Sequence, residues 1–291
     1  MKIPVKTLKT GFSMPVFGLG TWLMGGGHDR NPFNDDEADR QAIRNALDIG
    51  ITHIDTAEMY AGGHAEELVG KVIKDYKRSD IFLVSKVWPT NLHFDDVLVS
   101  CTKSLKRLKV DYLDLYLIHA VNPDVPINET MKAFDRLIDM GLIKNIGVSN
   151  FSIKSFQNAQ ICSKNKIVVN QLHYNLIIRE VEKKGLLEFC QKEDVILEAW
   201  RPVQKGKIKA KSVALLNKLS EKYHKTPVQI AINWLISQKN VVTLSKMRSK
   251  EHLLENIGAV DWIMSDTDIE KLRSEFPDKT DLSDATSVSI T

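Results

Sequence analysis

The stretch that decides the fold is ITHIDTAEMY at residues 51–60, together with IFLVSKV at 81–87 and YLDLYLIH at 112–119. Each contains a short apolar run rich in β-branched residues, and each run leads into a polar side chain that can titrate. Near-continuous apolar runs are typical of strands in a parallel sheet that is buried on both faces. The titratable side chains therefore stand where the carboxyl ends of parallel strands are expected.

Five further runs of the same kind bring the number to eight, at residues 16–22, 143–150, 166–174, 194–200 and 240–246. Amphipathic segments with helical spacing lie between them, such as DEADRQAIRNALDIG at 36–50, which ends on a glycine. Strand and helix alternating eight times predict an α/β fold, a (β/α)8 TIM barrel. A doubly wound open sheet is the alternative, but it would carry a glycine-rich dinucleotide-binding turn, which the sequence lacks.

We predict a single barrel domain over residues 1–291. The segment VKTLKTGFSMPV predicts an N-terminal β-hairpin over about residues 5–16 that closes the N-terminal mouth of the barrel. A short extra helix is expected at 249–257, after the eighth strand, and a polar, mobile tail at about 277–291. Thr226, Pro227 and Gln229 have the spacing of an N-cap, a first-turn proline and a capping-box partner.

The composition argues against several classes of function. The chain has 40 Lys and Arg against 37 Asp and Glu, a net charge of +3, without an aromatic-interleaved basic stripe. This does not indicate nucleic-acid binding. Three cysteines without CxxC spacing argue against a disulfide framework and a structural metal site. We find no signal peptide and no run of about 20 apolar residues, so we expect a monomeric cytoplasmic protein whose partners are small molecules.

Four residues at the ends of the first strands form the candidate catalytic group: Asp55, Tyr60, Lys86 and His119. A carbonyl accepts hydride more readily when its oxygen is protonated in the transition state. The phenol of Tyr60 can supply that proton, and a neighbouring Lys86 ammonium would lower its pKa. Asp55 would keep the lysine charged in a buried site, and His119 would hold the substrate oxygen by hydrogen bonding.

Each of the four residues, taken alone, is explained equally well by a structural role. Together they are hard to explain as packing, because buried polar groups cost free energy unless they are paired. A barrel lyase with Lys86 as a Schiff-base nucleophile is a weaker alternative, since an Asp55 counter-ion would keep that amine protonated.

The sequence resembles the aldo-keto reductases over nearly its whole length. The resemblance rests on MPVFGLGTW, GITHIDTAEMYAGGHAEELVG, SKVW, LKRLKVDYLDLYLIHA, GLIKNIGVSNF, VNQLHYN and LEAWRPV, in this order. It implies that Asp55, Tyr60, Lys86 and His119 form the catalytic tetrad of that family. Tyr60 would be the general acid in reduction and the general base in oxidation.

The same resemblance implies a nicotinamide cofactor bound in an extended form across the barrel mouth. The cofactor would be NADP(H), with NAD(H) as a second possibility. Ser149, Asn150 and Gln171 would hold the nicotinamide carboxamide, Trp200 would stack on its ring, and Thr21 would also contact the cofactor.

The residues expected at the adenosine end depart from the family pattern. Lys246 and Asn256 are present, but Met247 replaces a hydroxyl residue and His252 replaces an arginine. A histidine does not reproduce the bidentate fork of arginine, although the nearby Arg248 can compensate. We therefore expect use of both NADP and NAD rather than strict NADPH preference.

The expected substrate pocket is broad and largely apolar. Trp22 and Trp88 would line it, with Met59 as a further candidate, and Ala120 stands where the family often has a tryptophan. The predicted function is NAD(P)H-dependent reduction of varied aldehydes and ketones to alcohols. The alternative is a cofactor-binding sensor or regulatory subunit with little turnover.

Overall fold

Eight parallel strands close into a barrel in the computed structural model, which describes residues 2–210, 213–277, 279–285 and 290. The barrel runs in chain order and is closed by pairing of its last strand with its first. Each strand falls within one of the eight apolar runs, so the predicted TIM barrel is confirmed. The strands are β3 Phe17–Gly20, β4 His53–Asp55, β5 Phe82–Val87, β6 Leu115–Ile118, β7 Ile146–Ser149, β8 Ile167–His173, β9 Ile196–Trp200 and β10 Val241–Ser245.

Helices lie around the barrel and bury their apolar stripes against it. The helices are α1 Asp36–Asp48, α2 His64–Ile73, α3 Phe94–Leu108, α4 Ile127–Asp139, α5 Ile153–Ile161, α6 Glu180–Lys183, α7 Leu186–Lys192, α8 Lys207–Ala210, α9 Ala214–Tyr223, α10 Pro227–Ile236, α11 Lys250–Ile257 and α12 Asp266–Glu275. Among these described helices, none is long and apolar enough to cross a membrane.

The predicted N-terminal hairpin is present as β1 Val5–Thr7 and β2 Ser13–Pro15, paired antiparallel. Its turn contains Gly11 at φ 88°, a backbone conformation that glycine adopts without steric cost. Leu8, Phe12 and Met14 pack against inward-facing barrel residues such as Leu115 and Leu117. The hairpin therefore closes the N-terminal mouth with apolar side chains and leaves the opposite mouth for polar chemistry.

Two helix starts match the sequence predictions. Thr226 caps α10, with its hydroxyl accepting from the Gln229 amide, and the Gln229 side chain accepts from the Thr226 amide in return. Ser249 caps α11 by accepting from the His252 amide. Helix α11 is the predicted extra helix after the last barrel strand.

The described part of the C-terminal tail, residues 279–285, packs against the carboxyl-terminal side of the barrel. The Thr280 carbonyl accepts from the Arg179 amide, and the Ser283 amide donates to the Glu180 carboxylate. The rest of the predicted tail lies partly outside the described residues. This segment brings polar side chains to the same side of the barrel as the predicted site.

Candidate active site

Lys86 is the centre of the candidate active site. Its ammonium is fully buried and donates to Asp55 Oδ1 at 2.6 Å, the Thr56 carbonyl at 3.0 Å and the Tyr60 hydroxyl at 3.1 Å. Strand register explains why Lys86 lies beside Asp55, because β4 pairs with β5 and both strands end at the same mouth of the barrel. The structure thus brings three of the four predicted catalytic residues into direct contact.

His119 completes the group from the end of β6. Its ring centroid lies 5.7 Å from that of Tyr60, with the rings nearly perpendicular. The ring is buried, and Nδ1 has no hydrogen-bond partner among the described residues. His119 therefore faces the same space as the Tyr60 hydroxyl and has a nitrogen available for a ligand.

Burial controls the protonation states of these groups. It raises the pKa of Tyr60, and the opposing Lys86 ammonium does not reverse this. The expected direction of the lysine effect is confirmed, but the expectation that the pKa of Tyr60 falls below its usual value is wrong for this structure. Burial alone would lower the pKa of Lys86, but Asp55 and Tyr60 outweigh it and raise that pKa.

Two further titratable groups are affected by the same environment. Burial raises the pKa of the Asp55 carboxyl against the effect of Lys86. Burial and the Lys86 charge hold the pKa of His119 well below its usual value. At neutral pH the site therefore contains a protonated phenol, a charged lysine and a neutral imidazole.

Aromatic side chains surround the entrance to this site. Trp22 packs edge-on against Tyr60 at 5.0 Å between ring centroids, and Trp88 packs edge-on against His119 at 5.0 Å. His28 contacts both tryptophans, at 5.5 and 6.0 Å. Both predicted pocket tryptophans thus border the tetrad, and the half-buried Ala120 follows His119 directly.

The residues expected at the carboxamide lie on neighbouring strand ends. Asn150 has a left-handed backbone (φ 62°), and its Nδ2 donates to the His119 carbonyl and to Ser149 Oγ. Ser149 Oγ donates to the Gln171 carbonyl at 3.0 Å. Thr21 is buried, and its hydroxyl donates to the Asp55 carbonyl, so it supports the tetrad strand directly.

Trp200 lies beside a stacked histidine. Its ring is parallel to that of His173, with centroids 3.9 Å apart, and the Arg201 guanidinium lies 4.9 Å from the Trp200 centroid. His173 also bonds to Gln204 in the following loop and to Ser283 in the tail. Strand, loop and tail therefore meet at the predicted nicotinamide platform.

The two cations expected at the adenosine end differ in their hydrogen bonding within the described residues. Arg248 binds the fully buried Asp39 with Nε at 2.5 Å and Nη2 at 2.8 Å, and Nη2 also donates to Asn34. The exposed Lys246 makes no hydrogen bond or ion pair with any residue that the structure describes. Burial and Arg248 lower its pKa.

The other three positions at this end differ in exposure. Met247 is buried, so it belongs to the core rather than to a phosphate site. His252 is exposed on α11, and Asn256 is buried with its Nδ2 3.4 Å from Ser245 Oγ. Lys246 and His252 thus have exposed side chains that a phosphate can reach.

Sequence reasoning missed four residues of this region: His28, His53, His173 and Glu198. Glu198 and His53 are fully buried, with His53 Nε2 3.2 Å from Glu198 Oε1. A usable signal was present, because both are polar residues inside apolar strands, in the period-two register that points into the barrel. His28 gave no such signal, since its contacts depend on the path of a loop.

The family model of the aldo/keto reductase family matches residues 16–275. The chain belongs to the aldo/keto reductase family. As a member it is an NAD(P)-dependent oxidoreductase that reduces carbonyl groups.

Individual relatives agree with the family assignment. The reductase is 36% identical over 229 residues to methylglyoxal reductase YeaE of Escherichia coli, covering 77% of this chain and 78% of that protein. It is 33% identical to a glyoxal reductase of Bacillus subtilis, covering 78% and 76%. These relatives are named as reductases, so the sensor alternative is not favoured.

Solved structures give the same result. A thermostable aldo-keto reductase in complex with the inhibitor epalrestat is 43% identical, with a TM-score of 0.88 over 94% of this chain and 99% of that one. An aldo/keto reductase from Klebsiella pneumoniae in complex with NADP and acetate is 31% identical, with a TM-score of 0.84 over 97% and 99%.

The residues of the reductase fit a nicotinamide cofactor on their own chemistry. The unpaired ammonium of Lys246 suits a phosphate, and Arg248 has its Nη1 free of bonds to the described residues. Asn150, with Nδ2 committed to two oxygens, leaves its Oδ1 as an acceptor. Donors for phosphate thus follow β10, and an acceptor for an amide follows β7.

Proposed function

We propose that Tyr60 is the general acid of carbonyl reduction in this enzyme. The observation that supports this is the 3.1 Å hydrogen bond between Lys86 Nζ and the Tyr60 hydroxyl inside a buried mouth. A cation at this distance stabilises the phenolate that forms as the proton leaves. A bound reduced nicotinamide would supply the hydride for the carbonyl carbon. Tyr60 gives its hydroxyl proton to the carbonyl oxygen, and Lys86 stabilises the phenolate that is left.

Asp55 keeps Lys86 charged through this cycle. The carboxylate lies 2.6 Å from the ammonium, and neither side chain is more than a few per cent exposed. Losing the carboxylate would leave a buried cation without its counter-ion, which lowers a lysine pKa. Asp55 therefore acts on the reaction through Lys86 rather than on substrate.

His119 orients the substrate oxygen as a neutral imidazole. Its depressed pKa keeps it uncharged at neutral pH, so it donates a hydrogen bond without competing with Tyr60 as an acid. The edge-on packing of Trp88 against it limits ring rotation.

Ser149, Asn150 and Gln171 would hold the carboxamide of the cofactor, and Trp200 would stack on its nicotinamide ring. Thr21 contacts it through the strand end of β3. At the adenosine end Lys246, Arg248, His252 and Asn256 hold the phosphate and the base. Since His252 replaces an arginine, both NADPH and NADH are used. An NADPH preference above a thousandfold in kcat/KM would contradict this dual use.

The substrates are aldehydes and ketones of varied shape, including small dicarbonyl compounds of the type reduced by the relatives named for methylglyoxal and glyoxal. Trp22 and Trp88 give an apolar entrance. The residue directly after His119 is the small Ala120, so no large ring narrows the entrance at that position. The apolar walls supply affinity without a narrow shape requirement.

Tyr60→Phe tests the acid assignment. We expect kcat/KM for an aromatic aldehyde to fall by about 10²–10⁴-fold, with the Kd for NADPH nearly unchanged. Full activity in this variant would refute the role of Tyr60. Borohydride trapping of a carbonyl substrate on Lys86 would instead support the lyase alternative.

Three features stay predictions from the sequence: one domain over residues 1–291, a monomeric state and a cytoplasmic location. Analytical ultracentrifugation tests the second, and cell fractionation tests the third.

A further inference from the structure

Two buried carboxylates share one amide inside the barrel. Gln171 Nε2 donates to Asp55 Oδ2 at 2.9 Å and to Glu198 Oε2 at 2.8 Å. Glu198 is fully buried on β9, directly opposite Gln171 in the β8–β9 register. The tetrad explains Asp55, but it gives no reason for a second carboxylate two residues before Trp200.

His53 packs on the other side of Glu198, although neither ring nitrogen makes a hydrogen bond with the residues that the structure describes. His53 Nε2 lies 3.2 Å from Glu198 Oε1, and the ring packs edge-on against Phe82. The ring also fills the space beside Gly18, where an added Cβ would come within 2.4 Å of it. Glu198 is therefore held by its hydrogen bond to Gln171 Nε2, and the tightly packed His53 ring leaves it little room on the other side.

The position of the amide nitrogen determines that of the amide oxygen. Carboxylate oxygens repel a carbonyl oxygen, so the side-chain amide of Gln171 must present its nitrogen to both acids. Nitrogen and oxygen occupy different branches of one planar group, so Oε1 is directed away from the two carboxylates. With Asp55 alone, the amide would keep only one of its two fixed hydrogen bonds.

We propose that Glu198 is a positioning residue that orients Gln171, so that Gln171 Oε1 is the acceptor for the carboxamide NH2 of the nicotinamide. The proposal rests on the proposed function, because it assumes that Gln171 binds that carboxamide. Besides burial, repulsion from Glu198 contributes to the raised pKa values of Asp55 and Tyr60, so Glu198 also interacts electrostatically with the tetrad.

Glu198→Gln tests the proposal by binding rather than by turnover. The new side chain is neutral and has its own donor, so Gln171 is free to rotate its amide. We expect the Kd for NADPH, measured by quenching of tryptophan fluorescence, to rise about tenfold. The Kd for adenosine 2′,5′-bisphosphate, which lacks the nicotinamide, should stay within twofold of the wild-type value.

Glu66→Gln is the matched control. Glu66 is also fully buried, but it lies on α2, where it binds Ser85 and Arg107. The Glu66→Gln substitution should lower the melting temperature. It should leave the ratio of the Kd for NADPH to the Kd for adenosine 2′,5′-bisphosphate unchanged. Glu198→Met is the second variant in case Glu198→Gln does not fold, since methionine is of similar size and adds no buried polar group that needs a partner.

The outcomes separate the two levels of the proposal. If the wild-type enzyme neither binds NADPH nor reduces aldehydes, the proposed function itself is contradicted. An active wild type whose Glu198 variants lose affinity for both ligands equally, or for neither, would overturn the positioning role alone. A selective loss for NADPH supports it.

A carboxamide analogue gives an independent measurement. In 3-acetylpyridine adenine dinucleotide phosphate a methyl group replaces the NH2, so it cannot donate to Gln171 Oε1. Wild type should bind NADP about tenfold more tightly than this analogue. In Glu198→Gln the ratio of these two Kd values should be smaller. Equal affinity of wild type for both would contradict the proposal.

Discussion

The two halves of the barrel mouth are built differently. In the half formed by β3 to β6, Lys86 bonds directly to Asp55 at 2.6 Å and to Tyr60 at 3.1 Å. In the half formed by β7 to β10, Trp200 depends on His173, which is held in turn by Gln204 of a loop and Ser283 of the tail. The catalytic half is held by strand register, and Trp200 in the cofactor half also depends on contacts with a loop and the C-terminal tail.

This difference predicts different responses to mutation. Removing a buried partner in the catalytic half leaves an uncompensated charge, whereas the tail contacts of the cofactor half are partly exposed and replaceable. Variants in the first half should lose both fold stability and chemistry. Variants in the second half should mainly change cofactor affinity and release.

The largest effect is expected for Lys86→Met. Asp55 would remain buried without its cation, so unfolding should require about 3–5 kcal/mol less free energy. The kcat/KM should fall by about 10²–10⁴-fold, because the phenolate loses its stabilising charge. Urea unfolding and steady-state kinetics measure the two effects.

The double variant Lys86→Met with Asp55→Leu sharpens this test. It leaves neither charge of the pair, so it should recover part of the stability but none of the activity. Recovery of activity would show that the pair has no role in the reaction.

The pH dependence of stability is next in size and tests the cofactor half. Burial lowers the pKa of His173 from 6.5 to about 4. The unfolded chain therefore binds more protons between these values, and stability is lost as the pH falls from about 6.5 toward 4. The loss from this residue reaches at most ~3 kcal/mol.

His173→Phe removes that group while keeping a ring beside Trp200. Its free energy of unfolding should fall less than that of wild type between pH 7.5 and 4.5. Some loss will remain, because the pKa of the buried His119 is also depressed. The same loss in both proteins would show that His173 is not buried as the structure has it.

An intermediate effect is expected for Arg248→Met. Arg248 is already oriented by Asp39, and its free Nη1 can donate to a 2′-phosphate. The Kd for NADPH should rise about tenfold, while that for NADH changes little. An equal change for both cofactors would mean that Arg248 serves only as the partner of Asp39.

The smallest effect is expected for Asp284→Asn in the tail. Asp284 binds Gln204 at 3.0 Å and lies 3.4 Å from Arg201, but its side chain is 42% exposed. Stability should change by less than about 1 kcal/mol, and NADPH should dissociate up to about fivefold faster in stopped-flow fluorescence. Asp281→Asn is the control, because Asp281 lies in the same tail but pairs with Lys183 on α6.

Much of the catalytic half was predictable from the sequence. Parallel strands in a closed barrel end at one mouth, so Asp55, Lys86 and His119 had to come together once the eight strands were recognised. Tyr60 followed from its short distance in sequence from Asp55. These positions depend on local pattern and on the order of strands, which one sequence contains.

The electrostatic state of the site was not predictable in the same way. The expected fall in the Tyr60 pKa failed because burial, which depends on the packing of Trp22 and the surrounding loops, outweighs the nearby lysine. Likewise, the sequence shows Arg248 as a free cation, whereas the fold places it against Asp39, 209 positions away in the chain.

The sequence by itself determined the barrel, the hairpin that closes one end and the positions of the four proposed catalytic residues, because strand periodicity and strand order are local properties. Only the tertiary structure decided that Glu198 and His53 meet beside Gln171, that His173 stacks on Trp200, and that the tail reaches the loop after β9. These contacts join residues far apart in the chain, and their geometry depends on how loops and side chains pack together.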